Sequence, residues 1–376
     1  MNRKAFFLWP LLLLFLLVFV GCEKEKSSIS QPPVNQNKKV EINSQILTAR
    51  DLKENLPIPI EEGEFEKVYG WMNGRTIVYS TNIQNYSNVY AYDLAEGKNQ
   101  LIKKVESSIT SLHISPSGEY LLIRSPVSPT EMMISVIQKS GEELYSEKIE
   151  ASDVAIEWNL YNEQRVLIST FTEDWQSQSF DLSIADKKRT EIEVSNPFSY
   201  WYGENGLIYL NWNPNDLSLF ANVFTKDLSS QVEKEVLSSI FQMDTFKRSI
   251  MTIKIDQDPL SEASYHFYDQ ELKLIGSFKT PVLTRFSDWL IPYYDYNEKK
   301  NTFISFQPIE NGEVSTYNQG FQLFKYELNR NEKKSIMEGL ENEPLSCSPE
   351  GDVCLYGYYF EKLIDLDRKI VIKLSV

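Results

Sequence analysis

The residues able to do chemistry are few. The chain of 376 residues has three cysteines and two histidines. Cys22 ends an apolar run and is followed at once by Glu-Lys-Glu-Lys. A thiol there can act as a nucleophile and end as a thioether, which serine could not supply. Cys347 and Cys354 flank Ser348-Pro349-Glu350-Gly351. If Glu350-Gly351 is the centre of a hairpin, the two cysteines face each other. Directly opposed strand residues can bring their α-carbons into disulfide range. The pair is then either a disulfide, which an exported domain permits, or two small buried apolar side chains. His113 and His266 each stand singly within a strand-like run, the setting of a packed or hydrogen-bonded residue. Asp256-Gln257-Asp258 with Glu262 could gather oxygens for calcium. It lacks the glycine and spacing of a calcium loop and reads as a solvated acidic loop. Asp365 and Asp367 read as turn residues. The sequence has no His-Glu-x-x-His, Gly-x-Ser-x-Gly, phosphate loop, dinucleotide glycine fingerprint or Cys-x-x-Cys spacing. No metal or cofactor is therefore expected. The densest aromatic stretch holds Tyr200, Trp201 and Tyr202. Exposed on a rim, such residues suit a sugar ring or a protein hot spot. Buried, they are packing, which is the favoured reading.

Three segments must position these groups. Arg3 and Lys4 precede an apolar run from Ala5 to Val20, broken only by Pro10. A basic start, a short apolar stretch and a small residue before a cleavage point mark an export signal over residues 1–21. The run is shorter than a spanning helix needs. Residues 22–56 are rich in Glu, Lys, Ser, Gln, Pro and Asn, too polar to offset the entropy of ordering, so they read as a flexible linker. Residues 57–376 form the body.

The body reads as repeated β-structure. Short alternating runs recur between turn signals, as in Thr76-Ile77-Val78-Tyr79-Ser80 and Tyr120-Leu121-Leu122-Ile123. Asn73-Gly74 predicts a two-residue hairpin with positive φ at both positions. Trp158 to Trp201 is 43 residues, Trp201 to Phe246 is 45, and Phe246 to Trp289 is 43. A period of about 40–50 residues with four short strands is the signature of a β-propeller. The longer step from Trp289 to Cys347 places an insertion near residues 296–320. Seven units can be counted. Third strands often end on an acid, as at Asp93, Asp269, Glu327 and Asp365, which can accept hydrogen bonds from the following turn. Only Ser229 to Phe241 hints at a helical period.

Phe19-Val20-Gly21-Cys22 resembles the bacterial lipobox, with Phe19 where leucine is usual. The resemblance implies palmitate-type acyl chains on a diacylglyceryl group at Cys22, and cleavage that leaves this cysteine first. Two chains make a stable anchor, so the expected location is the extracytoplasmic face of the cell membrane. Ser115-Pro116-Ser117-Gly118 and Ser348-Pro349-Glu350-Gly351 resemble the turns of WD40-like and TolB-like propellers. The whole layout is similar to the YqgU-like lipoproteins of Gram-positive bacteria. That resemblance implies six blades where the repeat count is seven, so the expectation is an all-β propeller of six or seven four-stranded blades.

The formal charge is −15; losing Arg3 and Lys4 with the signal makes it −17. That excludes a basic nucleic-acid footprint. Repeats and an anchor without a catalytic constellation predict a non-enzymatic interaction module with an envelope protein as partner. A glycan or small-ligand binding protein is the first alternative, and an envelope hydrolase or lyase the second. Fold alone cannot choose among them.

Overall fold

The computed structural model describes residues 47–213, 215, 217–255 and 262–375. Cys22, the signal, most of the linker and the acidic run 256–258 lie outside the described residues.

Strand-period alternation builds the architecture. Leu121 and Ile123 of one strand pack with Val78, Val89 and Ala91 on one side. Leu122, between them, packs with Val166 and Ile168 on the other. Each sheet is thus apolar on both faces and is buried between two neighbours, as a blade must be. Seven four-stranded antiparallel meanders result, each in simple sequential order. They span residues 64–105, 111–150, 153–192, 200–240, 242–281, 294–340 and 345–373. We number them blades 1 to 7. Seven apolar clusters fill the seven blade interfaces, including that between blades 7 and 1.

The innermost strands are Glu64–Trp71, Ser111–Ile114, Asp153–Trp158, Tyr200–Trp201, Gln242–Thr245, Tyr294–Asn297 and Leu345–Cys347. They surround the central channel. The meander geometry gives the ring two unlike faces. Turns joining first to second and third to fourth strands form one, here called the turn face. Loops joining second to third strands, and the connections between blades, form the other, the loop face.

Among the described residues the ring closes without exchange of a strand. Trp71 Nε1 donates to the Ser346 carbonyl at 2.9 Å, and the Val68 N–H donates to Tyr359 O at 3.0 Å. Residues 47–60, assigned to the linker as far as 56 from composition, seal this seam. Thr48 caps the helix Ala49–Asn55 through a reciprocal capping box with Asp51. Leu47, Leu52 and Ile58 are buried with Val353 and Leu363 of blade 7 and with Leu374 just beyond it.

Several expectations need correction. Asn73-Gly74 does not form a two-residue turn. The Asn73 side chain accepts from the Arg75 and Thr76 N–H groups at 3.0 and 2.9 Å. The side chain closes a four-residue loop, and neither central residue takes a positive φ. Residues Glu233–Ile240 are the outer strand of blade 4, not a helix. Trp289 does not mark an inner strand. It lies in an extra hairpin, Leu283–Arg285 with Asp288–Leu290, to which Gly312–Glu313 adds a third strand. The insertion therefore begins before blade 6 and continues in its long 309–320 loop.

Three of the four acids named at third-strand ends hold the following turns, whereas the Glu327 carboxylate pairs with the Lys325 and Arg330 side chains. Asp93 accepts from Ala95 and Glu96 N–H, Asp269 from Glu271 and Lys273, and Asp365 from Arg368. Gly118, at φ +73°, closes the Ser-Pro-Ser-Gly turn; a Cβ there would lie 1.9 Å from Met72 O. Cys347 and Cys354 are register partners in blade 7 and are joined by a disulfide in the blade 6–7 core.

Candidate functional site

Among the described residues, the inner strands bring carboxyls to the channel. Glu157, Asp244 and Asp295 stand on the inner strands of blades 3, 5 and 6. Each is half-buried. Asp244 Oδ2 accepts from the Tyr294 hydroxyl at 3.2 Å, and Gln242 Nε2 lies 3.3 Å from the same hydroxyl. Asp295 accepts the Cys347 N–H at 2.5 Å and the Tyr296 N–H at 2.8 Å. Among the described residues none of the three carboxyls forms an ion pair.

Burial disfavours their charged forms. It pushes Glu157 up to about 8, with repulsion from Asp244 adding to the shift although blade 4 lies between their blades. Asp244 is pushed up to about 6 by burial, against the pull of the Thr245 N–H and the Tyr294 hydroxyl. Burial likewise takes Asp295 to about 6, against its two backbone donors. Tyr200 is raised by burial and then by Asp244 and Glu157. Such a set can pass protons or receive an organic ammonium group.

Toward the turn face the channel widens into a cavity of about 780 Å³. Tyr69, Trp71 and Tyr296 bring aromatic surface to it, and Glu163, Asp295 and Glu298 bring carboxyls. His113 also lines it. Burial and the nearby Arg124 charge push this histidine down to about 4, so its ring is neutral at physiological pH. His266 lies in the third strand of blade 5, half-buried, and burial lowers its pKa. Among the described residues no group of three or more His, Cys, Asp or Glu could hold a metal ion.

The aromatic stretch chosen from sequence divides. Trp201 is 1 % exposed, donates to Glu157 O at 3.1 Å and lies under the Arg165 guanidinium at 4.7 Å. Tyr202 is half-buried and donates to Gln270 O. These two are packing and not a binding rim, because their polar atoms are already used within the ring. Tyr200 faces the channel acids. The exposed aromatic of this stretch is Phe198, on the loop face, 60 % exposed. Trp175, on the adjacent loop, is 74 % exposed. Both rings contact Phe171, at centroid distances of 5.2 and 6.1 Å. No sequence signal separates these exposed rings from buried ones except their place in loops rather than alternating runs.

Consecutive four-stranded meanders around an open channel define a β-propeller. The chain belongs to the YqgU-like 6-bladed beta propeller domain family, whose match covers residues 93–357. The family description counts six blades; the described residues of this chain form seven four-stranded sheets, and blades 1 and 7 lie partly outside the match. The lipoprotein YqgU of Bacillus subtilis (strain 168) is 23% identical over 320 residues, covering 85% of this chain and 87% of that one. The crystal structure of lmo1340 from Listeria monocytogenes EGD-e is similar at a TM-score of 0.77 and 23% identity, covering 84% of this chain and 96% of that one. The β-propeller domain of the Trilobed protease from Pyrococcus furiosus, described as having an open velcro topology, has a TM-score of 0.56 and 12% identity over 84% of this chain and 96% of that one. Among the described residues, no helix is long and apolar enough to cross a membrane.

Proposed function

We propose that this is a lipid-anchored extracytoplasmic protein whose propeller is a non-enzymatic interaction module for an envelope protein. The anchor rests on Cys22 and on similarity to a lipoprotein. The interaction role rests on one observation: large aromatic side chains stand exposed on the loop face of a rigid ring. Solvent-exposed Trp and Phe on rigid loops are typical anchors of protein interfaces. A lipid tether raises the effective concentration of such a face at the membrane. Cross-linking in live cells tests this with the native protein, Cys22→Ala, and a Trp175→Ser/Phe198→Ser variant. The native form should recover an identified envelope protein, and both variants should lose it. A partner recovered equally by all three, or none recovered by an exported and folded native chain, removes the reading.

The cavity supports a second reading. Aromatic faces beside the Asp295 carboxyl, which forms no ion pair among the described residues, suit a small organic cation, while Lys247 and Lys299 on the same lining limit its charge. Thermal-shift titration with polyamines and quaternary ammonium compounds should raise Tm, and Asp295→Asn should abolish the rise. Absence of any shift across the panel excludes it.

A further inference from the structure

The two faces of the ring differ in charge as well as in apolarity. The turn face mixes signs: Arg75, Lys139, Lys187, Lys247, Arg248 and Lys300 stand in its turns among glutamates and aspartates. On the loop face the connecting segments carry acids such as Glu106, Glu173, Asp174, Glu193, Glu310 and Glu341, all exposed. Among the described residues of those segments the only basic side chain is Arg285, and Asp288 holds it through two bonds of 3.0 and 2.9 Å. The same segments display Trp175, Phe198, Trp212, Phe286, Tyr358 and Tyr359. Trp175 and Phe286 are presented in a conformation that bulky residues avoid, at φ 61° and 51°. Left-handed backbone at a bulky residue is destabilising, and such strain gathers at functional surfaces. The N-terminal segment approaches from the other side, where the Leu47 N–H donates to Asp352 Oδ2 at 3.1 Å beside a turn-face hairpin.

We infer that the loop face docks a basic polypeptide segment bearing apolar or aromatic anchors, supplied by the envelope partner. This rests on the interaction reading above and adds the chemistry of what is bound. Aromatic anchors supply contact area, and the acidic field selects and steers a cationic partner. An anionic lipid surface is repelled by the same field. A second copy would set one acidic face against another.

The test uses the lipidated full chain in zwitterionic nanodiscs. The probes are a synthetic amphipathic peptide of lysine, leucine and tryptophan and its counterpart with glutamate for lysine. The lysine peptide should bind saturably and more weakly as salt rises; the glutamate peptide should not bind. Glu173→Lys with Asp174→Lys, and separately Trp175→Ser with Phe198→Ser, should each weaken binding about tenfold. A turn-face control, Glu119→Lys with Glu142→Lys, should leave it unchanged. Equal binding of both peptides, equal loss in the control, or no effect of either loop-face pair overturns the inference. So does docking of anionic vesicles, or self-association in sedimentation, that depends on Trp175 and Phe198. If the peptides fail while the cross-linked envelope protein still depends on those rings, the interaction reading stands and only the charge preference falls. If both assays are indifferent to the rings, the interaction face falls as well.

Discussion

Phe303→Ala should destabilise the protein by about 3–5 kcal/mol, the usual range for removing a buried aromatic ring. Phe303 is fully buried in the blade 5–6 interface. Its ring lies 5.6 Å from Tyr265, 5.3 Å from Phe267, 5.7 Å from Phe278 and 5.2 Å from Tyr294, centroid to centroid. Those rings come from two different blades and cannot close together on the space left behind. Scanning calorimetry should show Tm lowered by on the order of 10 °C. Hydrogen exchange should rise most in blades 5 and 6, since repeat units depend chiefly on their neighbours. A loss below 1 kcal/mol, or exchange rising evenly around the ring, would contradict this packing.

The channel carboxyls predict an unusual response to pH. Glu157 is raised to about 8, and Asp244 and Asp295 to about 6. Between roughly pH 4 and 8 the folded chain therefore holds protons at these sites that the unfolded chain has released. Stability then falls as pH rises. The contribution is complete below the ordinary carboxylate range; it is lost by about pH 6 for the two aspartates and about pH 8 for Glu157. Glu157 has no ion-pair partner to lose, so Glu157→Gln isolates its share. The variant should match the native protein near pH 4 and exceed it above pH 8 by on the order of 2–4 kcal/mol. Melting curves of the two proteins across that range measure the difference directly. Parallel curves would mean that Glu157 is hydrated and ionised in the channel.

The architecture was legible for physical reasons. Alternation at Leu121, Leu122 and Ile123 reports a sheet buried on both faces. Trp158, Trp201 and Phe246 recur because each falls at or just past the end of an inner strand. Asp93, Asp269 and Asp365 could be assigned because their partners are local backbone groups. What escaped was whatever depends on distant segments. Glu157, Asp244 and Asp295 are far apart in sequence and meet only because the ring brings their strands to one axis. Trp289 misled the spacing, since a tryptophan in an inserted hairpin looks like one at a strand end. Trp201 and Phe198 could not be told apart as buried and exposed, because composition does not show which side of a blade's last connection meets solvent.

The closure of the ring has a consequence for how such proteins can diverge. Every blade is one unbroken stretch of chain, and among the described residues no strand from one terminus completes the sheet of the other. Duplication or deletion of a whole unit would then leave each remaining sheet intact and shift only the curvature and the seam. A ring locked by strand exchange would have to preserve its two ends together. Blade number is therefore free to vary within one lineage, which accommodates seven sheets here in a family described by six.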